Sequence, residues 1–581
     1  MIRFWISFCL ICLSSWLFAG NQEGASKQVV LKFMETTDVH GNFFSYDFVN
    51  LRSLPGGWSR VITYVNSQRD SLGKESCLLL DAGDILQGQP CVYYSNFMDT
   101  LQTHLAAEVM NYMQYDAACI GNHDIEAGHP VYDRWIADCN FPVLGANILS
   151  ETTRKSYAKP YCIVNRNGVK IAILGLITPA IPMWLPQDLW KGLSFEDMVK
   201  AARRWAAYIQ EHEQPDVIVG LFHTGLKGAG INGFNEHAAE EIALTVPGFD
   251  VIFFGHDHQR YCKEVVNPQS GKAVWLLNAG GEATHVAEAE LVVEKNNQRA
   301  ELKEMRGKLI SMEKHEPDSA FMKRFEGTIE RVKNFTEERL GTLPQPIYTF
   351  DYFWGKSTMA DLLHQVQFAE MKADISLITP LTYKEVIPAG SLSVKDIFKL
   401  YRYENRIEVF QLTGKEIKGA MEQAYGLWTN TMTSPTDHVL NIVSGKNGKM
   451  RLGAATFYLL SAAGITYQVD VTQPKGNKIR ILHLSNGTPF RLDQTYRVAV
   501  NSYIGSGGGG LLTTGTGIAL DDLPARIVEV SAKDLRYYLM EYIRRQEGPV
   551  NIPPLSDWYF TSKAYVEKAL KRDRQLLQQQ R

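Results

Sequence analysis

Cysteine is scarce in this sequence: eight occur among 581 residues, and none of the six that follow the first twenty residues forms a CxxC pair. A thiolate zinc site is therefore not expected. Charge of one sign is not in surplus either, with 60 Lys and Arg against 63 Asp and Glu. Proteins that grip long nucleic acids show a basic excess, so a polymeric nucleic acid is not the expected partner. A small anionic substrate needs only a few local cations and stays allowed. The glycine run Ser506-Gly507-Gly508-Gly509-Gly510 is not followed by Lys-Ser or Lys-Thr, which excludes a nucleoside-triphosphate loop of that type. After the first 20 residues no apolar run of about 20 residues occurs, so no later membrane span is expected. Internal repeats and long low-complexity linkers are missing as well.

The first twenty residues carry Arg3, an almost unbroken apolar stretch from Phe4 to Phe18, and small residues at Ala19-Gly20. Residues 1–20 are expected to be a secretory signal peptide, and the protein to be exported, with a periplasmic location favoured. Cys9 and Cys12 raise a lipid anchor as the alternative. Six cysteines follow (Cys77, Cys91, Cys119, Cys139, Cys162, Cys262). Export permits disulfides, but spacing fixes no pairing, and buried free thiols are the plain reading.

At 581 residues the chain exceeds one hydrophobic core, so two domains are expected. Its first half repeats one pattern: a short run rich in Val, Ile and Leu stops at polar, chemically capable residues. Val29–Met34 leads to Asp38 and His40, and Cys77–Leu80 to Asp84. Ala117–Ile120 leads to Asn122 and His123, Val217–Phe222 to His223, and Val251–Phe254 to His256 and His258. Such runs read as buried strands. Helical stretches are expected between several of them, at Trp58–Ser67, Asp99–Met113 and Phe195–His212. Alternating strands and helices imply a layered α/β domain. Its ligands lie beyond the carboxyl ends of the strands, where these polar residues fall. Phe321, Phe325, Ile329, Val332 and Phe335 recur at helical spacing and predict a connecting helix. A second α/β region follows, and the Gln-rich end reads as a helical tail.

Asp38, His40, Asp84, Asn122, His223, His256 and His258 form an oxygen and imidazole set without sulfur. That chemistry suits two borderline divalent ions such as Zn, Mn or Co rather than calcium. Two imidazoles two residues apart, His256 and His258, are expected to share one side of an extended chain.

The segments Asp38-x-His40, Gly83-Asp84-x-x-Gln87-Gly88, Gly121-Asn122-His123-Asp124, His223 and Gly255-His256-x-His258 resemble the signature of calcineurin-like metallophosphoesterases. Together with the second half, the chain resembles the secreted 5′-nucleotidase family. Met34–His40, Gly464–Pro474 and Asn501–Gly509 are most similar to its 2′,3′-cyclic-nucleotide phosphodiesterase/3′-nucleotidase branch. The resemblance implies a four-layer α/β/β/α metallophosphoesterase domain (29–310), a linker helix (315–345), a C-terminal α/β 5′-nucleotidase-type substrate domain (346–550) and a tail (551–581). It also implies one ion held by Asp38, His40, His258 and a bridging Asp84, and another by Asp84, Asn122, His223 and His256. His123 would face the phosphoryl group, oriented by Glu126. Tyr403 and Tyr503 would stack a base, with Asn501, Gly507 and Gly508 beside it.

One segment departs from the family. Typical 5′-nucleotidases carry an Asn-Gly-Gly-x-Ile-Arg stretch whose arginine grips phosphate; here it reads Leu377-Ile378-Thr379-Pro380-Leu381-Thr382-Tyr383. Lysine elsewhere would not replace that planar fork. Leu511-Leu512 stands where several relatives place an aromatic. The expected function is therefore hydrolysis of 2′,3′-cyclic nucleotides and 3′-nucleotides to nucleoside and phosphate. A 5′-nucleotidase or nucleotide-sugar diphosphatase is the alternative on the same machinery. A nucleotide-binding protein without catalysis is the alternative of another class. Small nucleotides are the expected partners, and the oligomeric state is open.

Overall fold

The computed structural model describes residues 27–228, 235–295, 300–445, 448–546, 548–561 and 563–578. The expected signal peptide, with Cys9 and Cys12, lies outside them. Five strands lead into the chemically capable residues: β1 (Lys27–Thr36), β2 (Cys77–Asp81), β3 (Ala117–Cys119), β4 (Val217–His223) and β5 (Val251–Phe254). Every residue of β2 to β5 is buried. Strands covered on both faces read as unbroken apolar runs, which is why the sequence betrays them.

Two six-stranded sheets stack face to face. In the first, β1, β2, β3 and Val143–Leu144 run parallel, and His285–Lys295 and Ala300–Ser311 add antiparallel strands beside β1. In the second, Val169–Ile177, β4, β5 and Ala273–Asn278 run parallel, with antiparallel strands at both edges. Leu31, Phe33, Leu78 and Leu80 from one sheet meet Ile171, Val217, Val219 and Val251 from the other in one buried cluster. Helices Trp58–Leu72, Leu105–Met113 and His129–Asp138 cover one outer face, and Met198–His212 and Ala239–Thr245 the other. The expected four layers are present.

Boundaries move in places. The helix expected from Asp99 begins at Leu105, because His104 caps it by accepting from the Ala106 N–H at 3.2 Å. Phe195 ends a short strand, and its helix begins after the Asp197 cap. The single linker helix over 315–345 is replaced by two, Ser319–Arg324 and Glu326–Glu337, broken at Phe325 (φ −102°, ψ 8°). Phe321 and Phe325 pack against Phe44 in the first half's core, whereas Phe335 packs against Tyr93 in the second's. The second of these helices spans both cores, with Ile329 and Val332 in the first half's cluster and Phe335 in the second's. Arg339–Leu343 then pairs as a strand with Gly390–Ser393.

The second half is built on a mixed five-stranded sheet, ordered Ser461–Ala463, Ile375–Ile378, Thr495–Asn501, Arg406–Thr413 and Ile527–Asp534. The stretch expected as a tail belongs to this fold. Asp557–Phe560 pairs in parallel with Thr466–Val469, and helix Lys563–Gln578 follows. Buried Asp573 of that helix accepts from the Val439 and Leu440 N–H groups at 2.8 and 3.0 Å. The six described cysteines are free. No helix among the described residues is long and apolar enough to cross a membrane.

Candidate active site

The ends of β1 to β5 converge at one edge of the sandwich. Five of the seven expected ligands have left-handed backbone: Asp38 (φ 50°), His40 (49°), Asp84 (60°), His256 (75°) and His258 (53°). Non-glycine residues there carry strain of order 1 kcal/mol or more each, and such strain collects at functional sites. Neighbouring bonds hold it in place. Asp38 N–H donates to Gly83 O at 2.8 Å and His40 N–H to Asp84 O at 3.0 Å. His256 N–H donates to the Asp38 carboxylate at 2.9 Å. The Asp124 carboxylate accepts from Asp84, Ile85, Leu86 and Gly121 N–H groups at 2.7–3.0 Å, tying together the loops after β2 and β3. Two glycines permit the approach. A Cβ on Gly121 would lie 2.2 Å from Asp84 Oδ1, and one on Gly255 1.9 Å from Thr37 Oγ1.

Two groups of ligand atoms result. The donor atoms of Asp38, His40 and His258 lie within 4.8 Å of one another, as do those of Asp84, His223 and His256. His256 and His258 therefore do not share a side of an extended strand. β5 ends at Phe254, and the left-handed turn sends the two rings to different groups. His40 Nε2 faces His258 Nε2 at 3.2 Å, and His258 Nε2 is 3.3 Å from Asp38 Oδ1. His223 Nε2 lies 3.0 Å from Asn122 Oδ1 and 3.1 Å from Asp84 Oδ2. Imidazole lone pairs and carboxylates converging at such distances, with no sulfur among them, fit borderline divalent cations.

The electrostatics agree. Burial opposes charge on Asp84, yet His223 and His123 hold its carboxyl well below the usual range. Burial also opposes charge on His123, but Asp84 and Glu126 raise its pKa to about 10. His40, dominated by burial, falls to about 4. The site's carboxylates thus draw positive charge toward themselves.

His123 stands beside the two groups. Its N–H donates to Asp84 Oδ1 at 2.8 Å, and its Nδ1 lies 2.5 Å from Glu126 Oε2, the partner expected from the sequence. Its ring stacks on Tyr403 at 6.3 Å between centroids and 9° between planes. Beyond them opens a cavity of about 540 Å³, walled by Tyr403, Phe457, Tyr458 and Tyr503 and floored by Asn122, His123 and His256. Gly507 and Gly508 line it too. A Cβ on Gly508 would sit 2.5 Å from the Tyr503 ring, so only glycine leaves that ring its place. Asn501 does not line it. That side chain is buried and caps the turn that presents Tyr503, accepting from Ile504 N–H at 2.9 Å.

Several contributors carry no motif. Glu236 Oε1 lies 2.9 Å from His256 Nε2, and Trp184 packs on the His256 ring at 5.5 Å. Fully buried Arg536 pairs with Glu404 at 2.7 Å and donates to the Tyr401 and Arg402 carbonyls, fixing the segment that bears Tyr403. An acidic residue following Asn-His was a readable sign for Asp124; the others come from segments remote in sequence, Arg536 from the first turn of helix Leu535–Arg544.

With this geometry in view, family comparison decides the class. Residues 31–260 match calcineurin-like phosphoesterase, and residues 339–515 match the 5′-nucleotidase C-terminal domain. The chain joins a calcineurin-like phosphoesterase to a 5′-nucleotidase C-terminal domain.

This two-domain phosphoesterase is 26% identical over 598 residues to the trifunctional nucleotide phosphoesterase protein YfkN of Bacillus subtilis. The match covers 92% of the chain but 39% of that longer protein. It is 23% identical to the 2′,3′-cyclic-nucleotide 2′-phosphodiesterase/3′-nucleotidase of Salmonella typhimurium, covering 85% of this chain and 83% of that one. A Staphylococcus aureus protein crystallised with alpha-ketoglutarate shares its fold at TM-score 0.73 and 20% identity, covering 91% of this chain and 99% of that one.

Proposed function

We propose that the chain hydrolyses 2′,3′-cyclic nucleotides and 3′-nucleotides to nucleoside and phosphate. The observation that carries this reading is the aromatic-walled cavity opening directly onto the paired ligand groups. A base stacked between Tyr403 and Tyr503 gains ~1–3 kcal/mol whatever its identity, and the ester then reaches His123. Asp38, His40 and His258 would hold one divalent ion and Asn122, His223 and His256 the other, with Asp84 between them. Such ions supply Lewis-acid polarisation and neutralise charge on phosphoryl oxygens. Glu126, bonded to Nδ1 of His123, leaves Nε2–H facing the substrate. From there it donates to a phosphoryl oxygen or protonates the departing ester oxygen. Glu126 is one methylene longer than aspartate and still reaches the ring.

Supporting the cyclic and 3′ branch are the named Salmonella relative and the lack of an arginine in Leu377–Tyr383. A 5′-nucleotidase of Vibrio cholerae, 24% identical, supports the second reading of the same site. Export rests on residues 1–20 alone. The test is purified protein assayed with Zn, Mn or Co on 2′,3′-cyclic AMP, 3′-AMP, 5′-AMP and a sugar nucleotide. Chelation is expected to abolish turnover and re-addition of metal to restore it. Asp84→Asn is expected to silence every substrate, whereas Tyr403→Ala raises KM for nucleotides about tenfold, as loss of one stacked base implies, and spares an aryl phosphate. Dominant turnover of 5′-AMP would hand the assignment to the second reading.

A further inference from the structure

Both halves of the chain wall the aromatic cavity. Tyr403, Phe457, Tyr458 and Tyr503 come from the second half, whereas Trp184 comes from the first. Trp184 follows the short turn Ile181–Met183, where its N–H donates to the Ile181 carbonyl at 3.1 Å. It is half-buried between two buried neighbours, Met183 and Leu185. Its ring packs on His256 at 5.5 Å between centroids and 33° between planes, and the residue also lines the cavity.

The segment that carries Trp184 is tied down on several sides. Trp190 Nε1–H donates to the Leu185 carbonyl at 3.0 Å, and the Tyr132 hydroxyl donates to the Leu189 carbonyl at 3.1 Å. Asp188 pairs with Arg406 of the second half. Arg406 directly follows Asn405, which lines the cavity with Tyr403, so this ion pair fastens the two walls to each other. A surface held in this way is organised before a ligand arrives and loses little freedom on binding.

Position along the cavity decides what Trp184 meets. In a nucleotide the phosphoryl group is esterified to ribose and never to the base. Phe457 packs on Tyr503 at 5.6 Å and on Tyr458 at 4.6 Å, so those rings belong to the base-stacking end. Trp184, against His256, stands at the phosphoryl end, where the sugar must lie. Among the described residues no lysine or arginine lines this cavity, so the sugar's neighbour there is an indole rather than a cation. A ribose ring presents polarised C–H bonds on its face, and the negative face of an aromatic ring receives such hydrogens. We propose that Trp184 is the platform for the ribose of the substrate. The proposal rests on the nucleotide phosphoesterase reading above and deepens it: the site selects phosphate esters of a pentose, and does so with or without a base.

The test compares KM for 3′-AMP and for a base-free ester, methyl riboside 3-phosphate, in metal-replete wild type, Trp184→Ala, Trp184→Leu, Trp184→Phe and Tyr403→Ala. Trp184→Ala is expected to raise KM about tenfold for both esters with kcat kept, as loss of ground-state binding implies. Trp184→Phe should recover part of the loss. Trp184→Leu keeps bulk against His256 but has no ring face, and is expected to behave as the alanine variant does, which keeps the test open if the alanine variant does not fold. Tyr403→Ala should move 3′-AMP alone. Inhibition by inorganic phosphate and calorimetric titration with zinc, neither of which involves a sugar, should be the same in wild type and in the Trp184 variants. An unmoved KM for the base-free ester would overturn the platform. So would phosphate inhibition and zinc affinity that weaken in step with KM, since Trp184 would then act only through His256. Wild type that turns over 5′-AMP but not 3′-AMP defeats the 3′-nucleotidase reading by itself; 5′-AMP and ribose 5-phosphate then replace the two esters and the contrast at Trp184 is read unchanged. Wild type inert on every nucleotide would take both down together.

Discussion

Glu236 does more at the site than its place in a loop suggested. Its carboxylate accepts from His256 Nε2 at 2.9 Å. A ring whose Nε2–H is committed in this way keeps its lone pair on Nδ1, and carboxylate partners of ligating histidines raise their basicity. Glu236→Gln is expected to weaken binding of one ion about tenfold and leave the other unchanged. Calorimetric titration with zinc reads this directly, and unaltered affinities would remove the role. Glu408 shows the opposite situation, a carboxyl buried with neither oxygen bonded. Burial, and then Asp188, push it to about 8. Between about 4.5 and about 8 the unfolded chain has released this proton and the folded chain has kept it, so stability falls as pH rises through that window. Glu408→Gln should flatten the fall and gain on the order of 1 kcal/mol at pH 8, measured by urea denaturation at pH 5 and pH 8. Individual ligands were legible because ligand-type residues directly follow buried apolar runs. Glu236, Trp184 and Arg536 were not, since their partners lie far away along the chain and no local pattern marks them.

Among the elements, strands were easier to read than helix ends. β2 to β5 are buried on both faces and leave an uninterrupted apolar trace. A helix start depends on a single cap, and His104 is an unusual one. The break at Phe325 was invisible because the apolar spacing runs straight through it, from Phe321 to Ile329 and Val332 in one core. The last helix was expected as a helical tail, and it is helical, but its polar composition did not show that it is tied to the second half. Its Asp573 carboxylate accepts from two backbone N–H groups and lies 2.5 Å from His438 Nδ1. Asp573→Ala would leave those donors buried and bare, at a cost of about 2–3 kcal/mol. A urea midpoint unmoved by this change would show that the helix is dispensable.

Across the whole molecule, the joint between halves is a packed one. Tyr93, from the short helix Pro90–Tyr93 of the first half, sits in the second half's core cluster. Its ring meets Phe398 at 5.4 Å and Phe335 at 6.3 Å, and the Arg536 guanidinium lies 4.9 Å above it. Its hydroxyl donates to Asp534 at 3.3 Å. Removing such a ring costs ~3–5 kcal/mol where the surroundings cannot collapse. Tyr93→Ala is therefore expected to uncouple the halves, splitting one calorimetric transition into two. A single sharp transition in the variant would contradict this. Two domains of α/β type were legible from chain length and alternating elements, but nothing in the sequence marked Tyr93 as their common anchor.

The left-handed turns around Asp38, Asp84 and His256 have a consequence for anyone who evolves this protein. A screen for survival of heating rewards relief of backbone strain, and glycine gives that relief at these positions. The hardiest survivors of such a screen should include inert ones, and selection for robustness alone would hollow out the catalyst first.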